Sequence, residues 1–235
     1  MSDKNEKTDN KKVENTKTTL TPEQKKEKVL SYLKNKYGED FVMGSMEESG
    51  WGQSHDSFVL HPLKGTKNDA FTVWGSCKKD GTYDMHDSYY GIIIKPEYEA
   101  VISDFVKEYY KEFKLYTDFG AGVFADNLNR NTKISEVYNL DPLFSSETVV
   151  FVKKSSADAS DVSENLKKIA VKMRAKKLIG KVKVYIVFDN KYETSTLDTY
   201  SNVLERGNGK EFFTDDSRKY IRVLSDVEIS EVENG

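Results

Sequence analysis

A single cysteine, Cys77, in a chain of 235 residues excludes an internal disulfide and any cysteine-rich zinc site. Four prolines are too few for a polyproline or linker-rich chain. No uninterrupted apolar run reaches the length of about eighteen residues that a membrane-spanning helix needs, and the densest apolar segments, such as Val182–Phe188, are strand-sized. Charge of one sign is also missing. The formal net charge is −3, so the molecule lacks the overall positive field of a dedicated nucleic-acid binder.

What is present is aromatic. Twelve Phe, fourteen Tyr and two Trp supply large surfaces for burial, enough for one large domain or two small lobes without metal or disulfide staples. Residues 1–19 stand apart, with Val13 as their sole sizeable apolar side chain and five Lys against four acids. Burial there cannot offset the entropy of ordering, so residues 1–20 are expected to be a disordered, charged leader or tether. They also lack the apolar core of a signal peptide. Their composition matches what remains when a secreted lipoprotein is cut at its lipid-bearing cysteine, and equally a cytosolic tail.

Beyond the leader the pattern predicts an α+β chain. Thr21-Pro22-Glu23-Gln24 spells an N-terminal capping box, and Val29, Leu30, Leu33 and Tyr37 recur at helical spacing up to Gly38, giving a helix over about 22–37 with its lysines on the opposite face. Short β-like runs at 41–46, 57–63, 70–78 and 82–86 read as an antiparallel meander. A helix is expected to reopen at Lys95-Pro96-Glu97 and carry Tyr98, Val101, Ile102, Phe105, Val106, Tyr109 and Phe113 on one face across the meander. After a possible strand at 114–119, an irregular connection and a short helix near 134–138, a lobe boundary falls near Pro142. The second lobe then reads as strand 147–153, helix 158–178 and strand 181–188, a β-α-β unit. A short helix at 197–204, a Gly207-Asn208-Gly209 turn and a final strand at 220–229 complete it. The expected division is 1–20, 21–144 and 145–235.

Candidate functional residues are scattered. His55, His61 and His86 share one stretch with Asp56, Asp84, Asp87 and Cys77, and two imidazoles with a carboxylate would be a minimal zinc site for a hydrolase. Their spacing matches no helical His pair, and hydrogen-bonded surface histidines account for them as well. Cys77 has no cysteine-protease context, no Gly-x-Ser-x-Gly elbow occurs, and Asp118-Phe119-Gly120 lacks the other kinase motifs. The glycine pairs at 120–122 and 207–209 lack a dinucleotide fingerprint, and nothing calls for a cofactor. Adjacent acids such as Glu47-Glu48 and Asp215-Asp216 would point to opposite faces of a strand.

Two surfaces point to binding. Gly50-Trp51-Gly52 places a tryptophan in a turn, and Tyr89-Tyr90 forms a second aromatic pair; such residues dominate binding hot spots. From Ser145 to Phe188 ten Lys or Arg stand against four acids, net +6, leaving −9 elsewhere. Lys167, Lys168, Lys172, Arg174 and Lys176 crowd the end of the predicted helix, where the helix dipole favours them and where an anionic surface would be met. No aromatic residue interrupts that run, so base stacking and nucleic-acid binding are not expected.

The stretch Tyr32-Leu33-Lys34-Asn35-Lys36-Tyr37-Gly38-Glu39-Asp40-Phe41, followed by short strands and Asp87-Ser88-Tyr89-Tyr90 before a long helix, resembles uncharacterised Gram-positive lipoproteins over about residues 21–113. The resemblance implies an extracytoplasmic domain, anchored through a lipid that is no longer present, and assigns no site residue. The leading expectation is therefore a non-enzymatic surface or envelope protein that binds a protein or an anionic envelope component. An immunity-type inhibitor and a metal-dependent hydrolase built on the three histidines are the alternatives.

Overall fold

The computed structural model describes residues 20–120, 122–157, 161–214 and 218–234, so the leader at 1–19 lies outside the described residues. The fold is α+β, with two sheets and seven α-helices among those residues.

Helix α1, Pro22–Tyr37, starts and stops where its sequence dictates. Thr21 Oγ1 accepts the Gln24 N–H, Gln24 Oε1 accepts the Thr21 N–H at 2.9 Å, and Gly38 closes the helix at φ 73° with its N–H on the Lys34 carbonyl. Its buried stripe is Lys25, Val29, Leu33 and Tyr37. Strands β1 (Phe41–Glu47), β2 (Asp56–Pro62), β3 (Phe71–Cys77) and β4 (Tyr83–Asp87) form the expected meander, antiparallel in the order β1-β2-β3-β4. Phe58, Leu60, Phe71, Val73 and Tyr83 face α1, and the alternate residues face away. A register shift between Met43 and Ser45 bends β1.

Helix α2, Tyr89–Val106, begins before the expected proline and ends before Tyr109 and Phe113. Asp87 Oδ1 accepts the Tyr89 N–H and Ser88 O accepts the Gly91 N–H, so the chain turns helical at Tyr89, directly after β4 and Ser88. Pro96 is then carried inside the helix, which costs the Ile92 carbonyl its usual partner. Tyr90, Ile94, Tyr98, Ile102 and Val106 buried along the helix offset that loss. The helix does not lie across the meander for its length. Its first turns, through Tyr89, Ile92 and Ile93, meet the α1–meander core, whereas Tyr98, Ile102 and Val106 belong to the core of the second sheet.

That second sheet has the order β5-β6-β7-β8-β9. Strand β5 (Phe113–Asp118) is antiparallel to β6 (Ser146–Lys153), so the sheet recruits a strand from before the expected boundary at 144/145. Between them runs α3, Ile134–Leu140. After α4 (Lys154–Ala157), α5 (Val162–Ala175) connects β6 to a parallel β7 (Gly180–Val187), the β-α-β unit expected from the sequence. The Asp158 start expected for that helix lies outside the described residues. Helices α6 (Asp189–Tyr192) and α7 (Leu197–Glu205) precede β8 (Lys219–Val223), and β9 is Glu233–Asn234. The expected final strand is cut short because the chain turns after Val223, with Val227 at φ 64° and the Leu224 N–H on the Glu228 carbonyl.

The second sheet is covered on both faces. Helices α2 and α5 cover one, and an aromatic cluster of Phe151, Tyr185, Tyr192, Tyr200 and Phe213 covers much of the other. Among the described residues the meander is covered by α1 on one face only.

Candidate functional site

The face of the meander away from α1 holds the three histidines singled out from the sequence, with Trp51 on the hairpin beside it. Gly50 and Gln53 exchange backbone hydrogen bonds at 3.3 and 3.1 Å, and Gly52 takes φ 93°, so Trp51 and Gly52 form the tip of the β1–β2 hairpin. Trp51 is fully exposed among the described residues, at 109% of its reference area. Farther down the face, His55 stacks on Trp74 at 4.2 Å, and Trp74 stands cross-strand from His86.

The three histidines share this face without meeting. His61 is paired across to Val42 and holds its Nδ1 3.0 Å from the Pro62 carbonyl. His86 places Nδ1 2.8 Å from Asp126 and Nε2 3.4 Å from Asp84. Among the described residues no three His, Cys, Asp or Glu side chains gather as metal ligands. Each imidazole has its own partner instead: the His55 ring lies against Trp74, His61 on the Pro62 carbonyl, and His86 between Asp126 and Asp84. Cys77 is exposed and cross-strand from Tyr83, a parity that puts it on the opposite face from His86.

The reading of Tyr89 and Tyr90 as a binding pair is corrected. Both are core residues: Tyr89 packs edge-on against Tyr37 and Phe41 and donates to Glu39 Oε1 at 2.7 Å, and Tyr90 donates to the Thr132 carbonyl at 3.1 Å. On α5, Lys167, Lys168, Arg174 and Lys176 are exposed, with Val171 bare among them. Lys172 is half-buried, pairs with Glu108 and lies over Tyr109. Lys168 stands 3.9 Å from Glu164.

Two of the carboxylates noted beside the histidines, Asp56 and Asp87, are instead buried and bonded to side chains of the core. Asp87, 1% exposed, receives the hydroxyls of Tyr32 and Tyr37 and the ammonium of Lys36, each at 2.7 Å, besides the Tyr89 N–H at 2.9 Å. Asp56 receives the Tyr83 hydroxyl at 2.6 Å, the Ser49 N–H at 2.7 Å and Lys25 at 2.9 Å. Burial pushes the Tyr37 phenol well above its ordinary range, and the facing Asp87 charge adds to the effect. For Asp56 burial acts upward, yet the Tyr83, Ser49 and Lys25 donors prevail and hold the carboxyl below the usual value. The missed signal was on α1: Lys25 and Lys36 frame the Val29–Leu33 stripe, three turns apart, on the buried side of the helix. Between α1 and the outer edge of β4 runs an open groove of about 890 Å³, floored by Tyr32, Lys36, Met85 and Asp126, with Leu20 at one end.

These features define a two-sheet α+β protein that presents one bare sheet face and a tryptophan-tipped hairpin. No protein-family model matches the chain, and no curated protein matches it. Among solved structures it is similar to a DUF5037 family protein from Ruminococcus gnavus ATCC 29149, at 12% identity and a TM-score of 0.47, over 88% of this chain and 94% of that one. Among the described residues no helix is long and apolar enough to cross a membrane.

Proposed function

We propose that this chain is an extracytoplasmic, lipoprotein-type binding protein that captures a protein partner through the Trp51 hairpin. The observation that carries the reading is the exposure of Trp51 on a hydrogen-bonded hairpin tip. A free tryptophan on a flexible loop would lose much of its binding energy on being ordered, whereas a preformed turn has already met that cost. Exposed Glu47 at the root of the hairpin complements a partner whose apolar pocket is ringed by basic residues, whereas Glu48 beside it is paired with Lys25. The extracytoplasmic placement rests on the composition of residues 1–19 and on the lipoprotein resemblance.

The test is photo-crosslinking in the native cells from position 51, with position 167 on α5 as the control, followed by affinity measurement on the purified adduct partner. One dominant protein adduct specific to position 51, bound at least about thirtyfold more weakly by Trp51→Ala, is expected. Identical adducts from both positions, or an unchanged affinity, refute the reading. A second surface, the exposed Lys167, Lys168, Arg174 and Lys176 flanking Val171, favours contact with an anionic envelope component. That contact would weaken steeply with salt, whereas the Trp51 contact would not.

A further inference from the structure

On the aromatic face of the second sheet, β7 changes character along its length. Tyr185 and Val187 are covered, but Lys181 and Lys183, nearer the start of the strand, emerge from under that cover. Lys181 is directly cross-strand from Arg222 on β8, a like-charge pair of the kind that weakens a sheet. Both cations rest on one ring, with Lys181 Nζ 3.6 Å and the Arg222 guanidinium 5.4 Å from the centre of Tyr220.

Nearby acids act on them only through space and are bonded elsewhere. Glu147, the β6 neighbour of Lys181, gives its carboxylate to Lys183 at 2.5 Å, and Glu233 accepts the Tyr220 hydroxyl. Neither Lys181 nor Arg222 forms an ion pair among the described residues. Burial, and then the charges of Lys183 and Arg222, lower the Lys181 ammonium below its ordinary value despite Glu147 and Glu233. The pair borders a cavity of about 410 Å³ at the ends of β5 to β8, which Gly120, Ser145, Gly180 and Glu147, its carboxylate held by Lys183, also line. At this end β6 and β7 approach so closely that a Cβ on Gly180 would stand 2.3 Å from Ser146 Oγ.

We propose that this cavity binds the phosphate group of a small molecule, with Lys181 and Arg222 as the charge partners and the Ser145 hydroxyl as a further donor. A phosphate carries a charge near −2 and three strong acceptor oxygens, matching two uncompensated cations, one of them the forked guanidinium. A carboxylate would neutralise one and leave the other exposed to repulsion. The volume admits a small phosphate ester beyond the phosphate itself.

The test is calorimetric titration of the full chain with inorganic phosphate and with glycerol 3-phosphate, against chloride at matched ionic strength. Saturable binding of phosphate or the ester is expected, weakened at least tenfold in Lys181→Gln and in Arg222→Gln and unchanged in Lys167→Gln. Tighter binding of the ester identifies an esterified ligand, and equal binding identifies phosphate itself. Amide resonances of the unaltered protein supply a readout that needs no variant, with phosphate-induced shifts confined to Gly120, Ser145, Gly180 and their neighbours. No binding beyond chloride, an equal loss in Lys167→Gln, or shifts centred on α5 would overturn the proposal.

Discussion

Replacing Asp87 by alanine tests whether α1 is held by a buried charge or by apolar contact alone. The carboxylate accepts four hydrogen bonds, and its removal leaves the Lys36 ammonium, on a side chain only 11% exposed, facing two phenols with no anion. Breaking a buried pair by removing one partner costs about 3–5 kcal/mol, chiefly because the remaining charge stays desolvated. For a chain of this size that lowers the midpoint of thermal unfolding by roughly 6–20 °C. Lys36→Met in the same background removes the stranded charge, so the double variant should be more stable than additivity predicts by about 1–3 kcal/mol. Urea unfolding followed by tryptophan fluorescence measures all four corners of the cycle. A single-variant cost below about 1 kcal/mol, or strict additivity, would show that the ion pair is incidental to the docking of α1.

Other perturbations follow from the same core. Gly75→Ala places a Cβ 2.3 Å from the Tyr83 hydroxyl oxygen; displacing that ring breaks its bond to Asp56, and chemical denaturation should register a loss of about 2–4 kcal/mol. Because the folded protein holds the Asp56 carboxyl below 3.8, its contribution is complete above that value and vanishes as the pH falls through the lowered one. Asp56→Asn should therefore flatten the acid limb of the stability profile below about pH 4. The alkaline limb has the opposite sign: Tyr37, raised above 10.0 by burial and by Asp87, stabilises fully below 10.0 and progressively less above it. Tyrosinate absorbance from the buried ring should therefore appear together with loss of helical circular dichroism, and its earlier appearance would contradict the burial assigned to it.

Local signals in the sequence carried as far as local physics decides. The capping box at Thr21–Gln24 and the glycine at 38 set both ends of α1 to the residue, and alternation set the four meander strands to within one or two. The parallel β6–β7 pair was legible because a strand, an amphipathic helix and a second strand have few other solutions. Elements decided by tertiary contacts were misread. Pro96 looked like a helix start, yet the Asp87 cap and the burial of Tyr90 and Ile94 carry α2 through it. Tyr89 and Tyr90 looked like a recognition pair, but a helix beginning at Tyr89 turns both into the interior. A tryptophan between two glycines was legible as a turn residue, and Trp51 is exposed at the hairpin tip. The Lys181–Arg222 pair was invisible because it requires knowing that β7 and β8 are neighbours in register.

The way α2 is shared between cores has a practical corollary. Its 18 residues make a rod of about 27 Å, rooted at one end beneath the meander and at the other beneath the mixed sheet. Neither sheet can be excised with a complete interior, so expressing either half alone would yield an aggregating fragment, and the intact protein should melt in one step. Evolution or an engineer seeking to vary this scaffold is left with its hairpin tips and its outer helix face, because the rod ties every internal change in one half to the fate of the other.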